Sequence, residues 1–293
     1  MGPASRCLRH VLWELRNACR FLRSAPCVPL DASESAPYDK TALMFASNYY
    51  CRCAMPNDSL RVIAAMARKG GSGKTTLSRA LISAAIAAGR RVTLMDTDGT
   101  DALGAWYERA EGAGYGSPLL TRIRALSIAA IEQEIERIYD EDLADLIFID
   151  TAGVGADWSD SVAVLADHIV TPVMLSTTDF KVGIQTADWF AHLRTRVDDP
   201  SALPQHHVVL NMVPAKPTKA DAELIAQAVN CFPVVETVMM HRNAFKEMDR
   251  LGLLHAIALA RQNDPNPLMK PHARPLVEAL EEATDILNTI ISG

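Results

Sequence analysis

The run Lys69-Gly70-Gly71-Ser72-Gly73-Lys74-Thr75-Thr76 constrains this chain more than any other stretch of it. Glycines at 70, 71 and 73 let consecutive backbone N–H groups converge on phosphate oxygens. The residues before the run, Arg61 to Ala67, read as a buried strand, and those after it, Leu77 to Ala88, read as a helix. Strand, glycine loop and helix, in that order, are the context a phosphate cradle requires. Within it Lys74 is expected to reach the β- and γ-phosphates as a point charge, and the Thr75 hydroxyl to sit on Mg²⁺. The positive end of the new helix would face the same phosphates.

Two further stretches end as ligand-facing strands do. Val92 to Asp98 is a short apolar strand closing on two carboxylates, Asp96 and Asp98. Leu146 to Gly153 is a second, closing on Asp150 and a glycine. In an open parallel α/β sheet ligands bind outside the carboxyl ends of the strands, so these acids are expected beside Lys74, around the metal and the terminal phosphate. A solvated carboxylate at a strand end is the plainer alternative for any one of them.

The ordinary P-loop pattern asks for glycine at position 68, where this chain has Arg68. What fits instead is K-G-G-x-G-K-T, and the extra lysine, Lys69, resembles the signature of the deviant Walker A box of the ParA/MinD family, including its partition ATPases and VirC-type DNA-transfer relatives. That resemblance runs from about Arg61 to about Leu254. It implies a P-loop ATPase that binds ATP with Mg²⁺ through residues 69–76 and dimerises on ATP. Lys69 would cross to the partner's nucleotide, and the catalytic set would be Lys69, Lys74 and Asp98, the last orienting or deprotonating the attacking water. Thr75, Asp96 and Asp150 would hold the metal shell, although the roles of Asp96 and Asp98 could be exchanged. Asn211, with the turn Met212 to Pro214, falls where relatives contact adenine; an Asn-x-x-Pro turn after a strand is equally ordinary punctuation. The chain departs from the family after Asp98, with Gly99-Thr100 in place of Pro-Gln, which bears on subfamily and hydrolysis rate rather than on nucleotide binding.

Apolar runs near 61–67, 91–96, 120–126, 145–150, 168–175, 206–212 and 234–238 alternate with helical patterns near 74–89, 101–111, 128–140, 159–166, 180–196, 218–230, 241–254 and 273–291. Such alternation predicts an α/β fold, a doubly wound, mostly parallel sheet with helices on both faces. Residues 59–293 are read as one ATPase domain and residues 1–58 as a dispensable extension. The first 54 residues carry seven Arg and Lys against four Asp and Glu, while the whole chain has a net charge of −6. Leu8, Val11, Leu12, Leu15, Cys19 and Leu22 share one face of a possible basic helix with Arg9, Arg16, Arg20 and Arg23 on another. That helix would dock on a membrane surface or a partner; a start codon placed too far upstream would produce the same pattern.

Five of the six cysteines lie in the extension, and Cys51-Arg-Cys53 lacks metal or redox spacing. Iron–sulfur members of the class, which need cysteines near the second switch, are therefore disfavoured, as are its tyrosine kinases, whose C-terminal tyrosine cluster is missing here. Two classes remain. A ParA-like protein would be cytoplasmic, bind DNA nonspecifically and respond to a ParB-like activator. DNA contact by an acidic domain needs a local basic patch, with Lys181, Lys216, Lys219, Arg242, Lys246 and Arg250 as candidates. Arg242, Lys246 and Arg250 form a stripe at helical spacing, which a merely solvated face would also explain. A MinD-like positioner on a membrane is the alternative, and it would need a basic C-terminal helix. Pro275 to Ile291 carries Glu278, Glu281, Glu282 and Asp285 and no basic residue, so membrane contact is not expected.

Overall fold

The structure, a computed structural model, describes residues 57, 59–68, 71–97, 101–151 and 156–292. The possible helix at 8–23, and Lys69, Gly70, Asp98, Gly99, Thr100 and Gly153, lie outside the described residues.

Seven strands form one sheet among the described residues: β1 (Arg61–Ala65), β2 (Val92–Asp96), β3 (Leu120–Arg124), β4 (Leu146–Asp150), β5 (His168–Met174), β6 (Gln205–Val213) and β7 (Met239–Met240). Their spatial order is β3-β2-β4-β1-β5-β6-β7, and every pairing is parallel. Val-Thr-Leu-Met-Asp in β2 and Leu-Ile-Phe-Ile-Asp in β4 are buried at all five positions, as strands covered on both faces must be.

Period-two alternation splits the apolar residues between two layers. Ile63, Leu146 and Phe148 point to a core with Leu77, Leu81 and Ile82 of α1 (Lys74–Ala87) and with Ile286 and Ile290 of the last helix, numbered α9 below. Val62, Ala64, Ile147 and Ile149 point the other way. There they meet Ile131 and Ile138 of α3 (Ile128–Asp140), Val162 of α4 (Ala156–Leu165) and Phe190 of α5 (Thr177–Arg194). Between them in the chain, α2 (Ala102–Gly112) joins β2 to β3, and α6 (Lys219–Cys231) follows β6.

Local chemistry starts several of these helices. Ser127 and Ser176 accept from Ala130 N at 3.2 Å and Asp179 N at 3.1 Å, and Thr218 with Asp221 forms a reciprocal capping box.

The C-terminal third differs from the sequence expectation. The last strand lies at 239–240 rather than 234–238; within that earlier run Val234 makes a single parallel bridge to Val208. The helix expected over 241–254 is α7 (Asn243–Leu251), which stops earlier, and it is followed by α8 (Leu254–Gln262), a helix that the sequence reading did not include. Gly252 separates them at φ +138°, and a Cβ there would lie 2.8 Å from the Tyr115 carbonyl oxygen. A seven-residue 3₁₀ segment, Pro267–Ala273, then leads into α9 (Arg274–Ser292). The buried residues of α9, Leu276, Ala279, Ala283, Ile286, Leu287 and Ile290, follow helical spacing and belong to the core around α1.

Candidate nucleotide site

Strand order reverses direction beside β1, and the loop leaving β1 therefore emerges at the topological switch point, with the carboxyl ends of β2 and β4 next to it. Hydroxyls fasten those strand ends to one another. Thr151 Oγ1 donates to Ala65 O at 2.8 Å and Thr97 Oγ1 to Asp150 O at 2.9 Å.

The loop itself is set by backbone conformation. Gly71 and Gly73 stand at φ +82° and +92°, and Gly73 is the cap from which α1 starts. A Cβ on Gly73 would come 2.1 Å from Asn211 Nδ2. Only glycine meets both demands. Ser72 and Lys74 are buried, while Thr75 and Thr76 at the start of α1 are partly exposed.

Two of the three expected metal-holding residues meet directly. Thr75 Oγ1 donates to Asp150 Oδ2 at 3.0 Å, and the other carboxylate oxygen of Asp150 is buried with no hydrogen-bond partner among the described residues. Burial, reinforced by the charge of Asp96, pushes the Asp150 carboxyl up to about 6, against the Thr75 hydrogen bond and the charges of Lys74 and Arg79. A divalent cation suits this pair: it would take an orphaned buried oxygen and relieve the desolvation that raises the carboxyl. Among the described residues no cluster of three or more His, Cys, Asp or Glu side chains could cage a metal. The donor set is that of an ion completed by water and phosphate oxygens, as Mg²⁺ favours.

Asp96 is the register partner of Asp150, and it is almost fully buried. Its Oδ2 accepts from Leu103 N at 3.0 Å and Gly104 N at 3.3 Å, so one of its oxygens is committed to the first turn of α2, where a negative charge is favoured. Asp101, the left-handed cap of that helix at φ 52°, is gripped by Arg122 of β3, with Nη2 2.5 Å from Oδ1. The described residues on either side of 98–100 are thereby held in place.

Asn211 is completely buried, and its Nδ2 donates to Ser72 O at 3.2 Å. One of its two amide hydrogens is thus given to the Gly71–Gly73 loop, while its Oδ1 is buried with no hydrogen-bond partner among the described residues; Met212, the next residue, is exposed at φ 57°. The basic stripe of the sequence reading is corrected at its first member. Arg242 donates from Nη1 to Glu278 Oε2 and from Nη2 to Glu282 Oε1, both at 2.6 Å, so its charge is neutralised inside the fold. Lys246 and Arg250 are exposed, as are Lys181, Lys216 and Lys219.

Sequence reasoning passed over Arg79. Its guanidinium is buried, pairs with Asp249, donates to Ala102 O at 3.0 Å and lies 5.7 Å from the centre of the Trp106 ring. The signal available was one cation inside the apolar helix Leu77-Ser-Arg-Ala-Leu-Ile-Ser-Ala-Ala-Ile86.

Known proteins resemble this arrangement in sequence and in fold. A protein-family model described as VirC1 protein matches residues 60–293. The VirC1 protein of Rhizobium rhizogenes is 28% identical over 220 residues, covering 74% of this chain and 92% of that protein. The ParA protein of Rhizobium radiobacter is 26% identical over 196 residues, covering 65% and 83%. An ATP complex of Cyanothece McdA superposes with a TM-score of 0.54 at 15% identity, over 76% of this chain and 97% of that one, a likeness of fold.

Proposed function

The chain belongs to the VirC1 protein family, within the ParA-like partition ATPases, and from that premise we propose that it is an ATP-driven switch that dimerises on ATP, binds DNA nonspecifically and hydrolyses ATP to ADP and phosphate. The observation that carries the reading is the pairing of Thr75, just after the Gly71–Gly73 loop, with Asp150, whose other carboxylate oxygen is buried with no hydrogen-bond partner among the described residues.

The chain's own residues divide the work. Loop N–H groups hold phosphate oxygens, and Lys74 adds the point charge. Thr75 and Asp150 would hold Mg²⁺, whose charge offsets that of the phosphates. Asp98 orients a water and takes its proton as the water oxygen bonds to the γ-phosphorus and the bond to the bridging oxygen of ADP breaks. Asp96 holds the first turn of α2. Lys69 reaches the partner's nucleotide across the dimer. The domain spans residues 59–293, acts in the cytoplasm in partition or DNA transfer, and would answer to a ParB-like activator.

The membrane-positioning alternative loses support from α9. Its apolar face is buried in the core and its Glu278 and Glu282 are occupied by Arg242, and among the described residues no helix is long and apolar enough to cross a membrane. Co-sedimentation of the full chain with plain DNA and with anionic liposomes, with and without Mg-ATP, tests the proposal. ATP-dependent retention on DNA is the expected result; retention on liposomes alone would overturn it.

A further inference from the structure

Three helices meet on the Arg79 guanidinium. It leaves α1 five positions beyond Lys74, ion-pairs with Asp249 of α7 and donates to the carbonyl of Ala102, the first residue of α2. It also stacks on Trp106 of α2, whose Nε1 donates to Met248 O of α7 at 2.9 Å. Arg109 of α2 closes the circuit, with Nη2 3.1 Å from Asp249 O and 3.3 Å from Asp249 Oδ1.

Such an arrangement is expensive. Burial lowers the pKa of Arg79, and its Nε is buried with no hydrogen-bond partner among the described residues. Only the Arg79 end of the pair is buried, whereas the Asp249 side chain is 56% exposed and screened by solvent, so the pair is weak evidence for a stabilising role and the burial of Arg79 points to conformational specificity. Each of its partners belongs to an element with a function proposed above. α1 begins at the phosphate loop, α2 follows the segment carrying Asp98, and α7 exposes Lys246 and Arg250 on either side of Asp249 in sequence.

We propose that Arg79 is a positioning residue that ties the phosphate-loop helix to α7, so that occupation of the loop by ATP alters the presentation of Lys246 and Arg250. The inference rests on the ATP reading of residues 69–76. A helix moves as a stiff rod, so a shift of its first turn on phosphate binding carries Arg79 with it. Asp249 and Ala102, held by the same guanidinium, must follow or lose a charge-assisted bond.

Hydrogen–deuterium exchange over residues 243–251 of the full chain, with and without Mg-ATP, tests this alongside affinity for a fluorescent ATP analogue and retention on DNA. The unaltered protein should bind the analogue and change its exchange over α7. Arg79→Gln should keep the analogue affinity within about threefold, lose the exchange change, and lose about tenfold in ATP-dependent DNA retention, the scale of an ordinary coupling between sites. Asp249→Ala removes the acceptor at the exposed end of the same link and is expected to do the same, so the test survives if Arg79→Gln does not fold. A role in stability alone would not split affinity from the α7 response. An ATP-induced exchange change over α7 that persists in either folded variant would overturn the inference. So would an unaltered chain that binds ATP with no change over α7. Failure of the unaltered chain to bind ATP would instead overturn the ATP reading.

Discussion

The side-chain amide of Asn211 donates to the carbonyl oxygen of Ser72 at 3.2 Å, joining the carboxyl end of β6 to the phosphate loop across 139 positions of sequence. The contact fixes the loop from beneath and explains why position 73 must lack a side chain. Gly73→Ala meets Asn211 Nδ2 and adopts φ +92°, a combination expected to cost about 1–3 kcal/mol of backbone strain before the clash is counted. The variant should lose ATP binding. Gly73→Ala with Asn211→Ala removes the clash but keeps the strain, so thermal melting should place the double variant above Gly73→Ala and below the unaltered protein.

Separation of binding, dimerisation and turnover is expected among three substitutions. Lys74→Ala should abolish binding of a fluorescent ATP analogue, because the phosphates lose their point charge. Asp98→Ala should bind ATP and accumulate as a dimer in size-exclusion chromatography. Lys69→Ala should bind ATP and remain monomeric; equal dimerisation by the last two would remove the deviant-Walker role from Lys69.

Acid should weaken metal-dependent binding. Asp150 is raised to about 6 in the metal-free fold, so below that pH it carries a proton that a cation must displace. Mg²⁺-dependent affinity for ATP should therefore fall as pH drops through about 6. Without ligand the sign reverses. The folded state holds this proton more tightly than the unfolded chain does, so Asp150 costs nothing below about pH 4 and destabilises increasingly as pH rises from about 4 to about 6. Above that range the cost is full, on the order of 3 kcal/mol. Asp150→Asn should raise the melting temperature of the ligand-free protein at pH 7 and have little effect at pH 4; an equal rise at both would refute the assignment.

Arg242 and its former stripe partners should now behave differently. Lys246→Glu with Arg250→Glu should lower ATP-dependent DNA retention and flatten its salt dependence, since fewer counterions are released, with ATP-analogue binding measured alongside. Arg242→Glu would set a third carboxylate against Glu278 and Glu282. Its effect should be a loss of stability by about 1–3 kcal/mol, seen as a melting temperature lower by several degrees.

What could be read from sequence was what neighbours in sequence determine. The glycines of the loop and the apolar runs ending in Asp96 and Asp150 are local patterns, and the sheet placed them where the patterns said. Asn211 against Ser72 and Arg79 against Asp249 join positions more than a hundred residues apart, and no periodicity within one element reveals them. Arg242 shows the limit from the other side. The spacing with Lys246 and Arg250 is helical, but the residue is the cap preceding α7, and its charge is claimed by carboxylates on α9, an element that the stripe pattern does not include. The end of α7 before 254 went unseen because its cause is tertiary, the close approach of Gly252 to Tyr115, and α8 beyond it was not expected at all.

The packing of α9 against α1 also orders events during synthesis. The helix that launches from the phosphate loop is made early, yet Leu77 and Leu81 share their core with Ile286 and Ile290, which are made some two hundred residues later. A nascent chain that has threaded out only its first strands and loop would leave that helix uncovered on one flank. Competence to bind nucleotide should therefore arrive in one late step, when residues 274–292 leave the ribosome and close over α1.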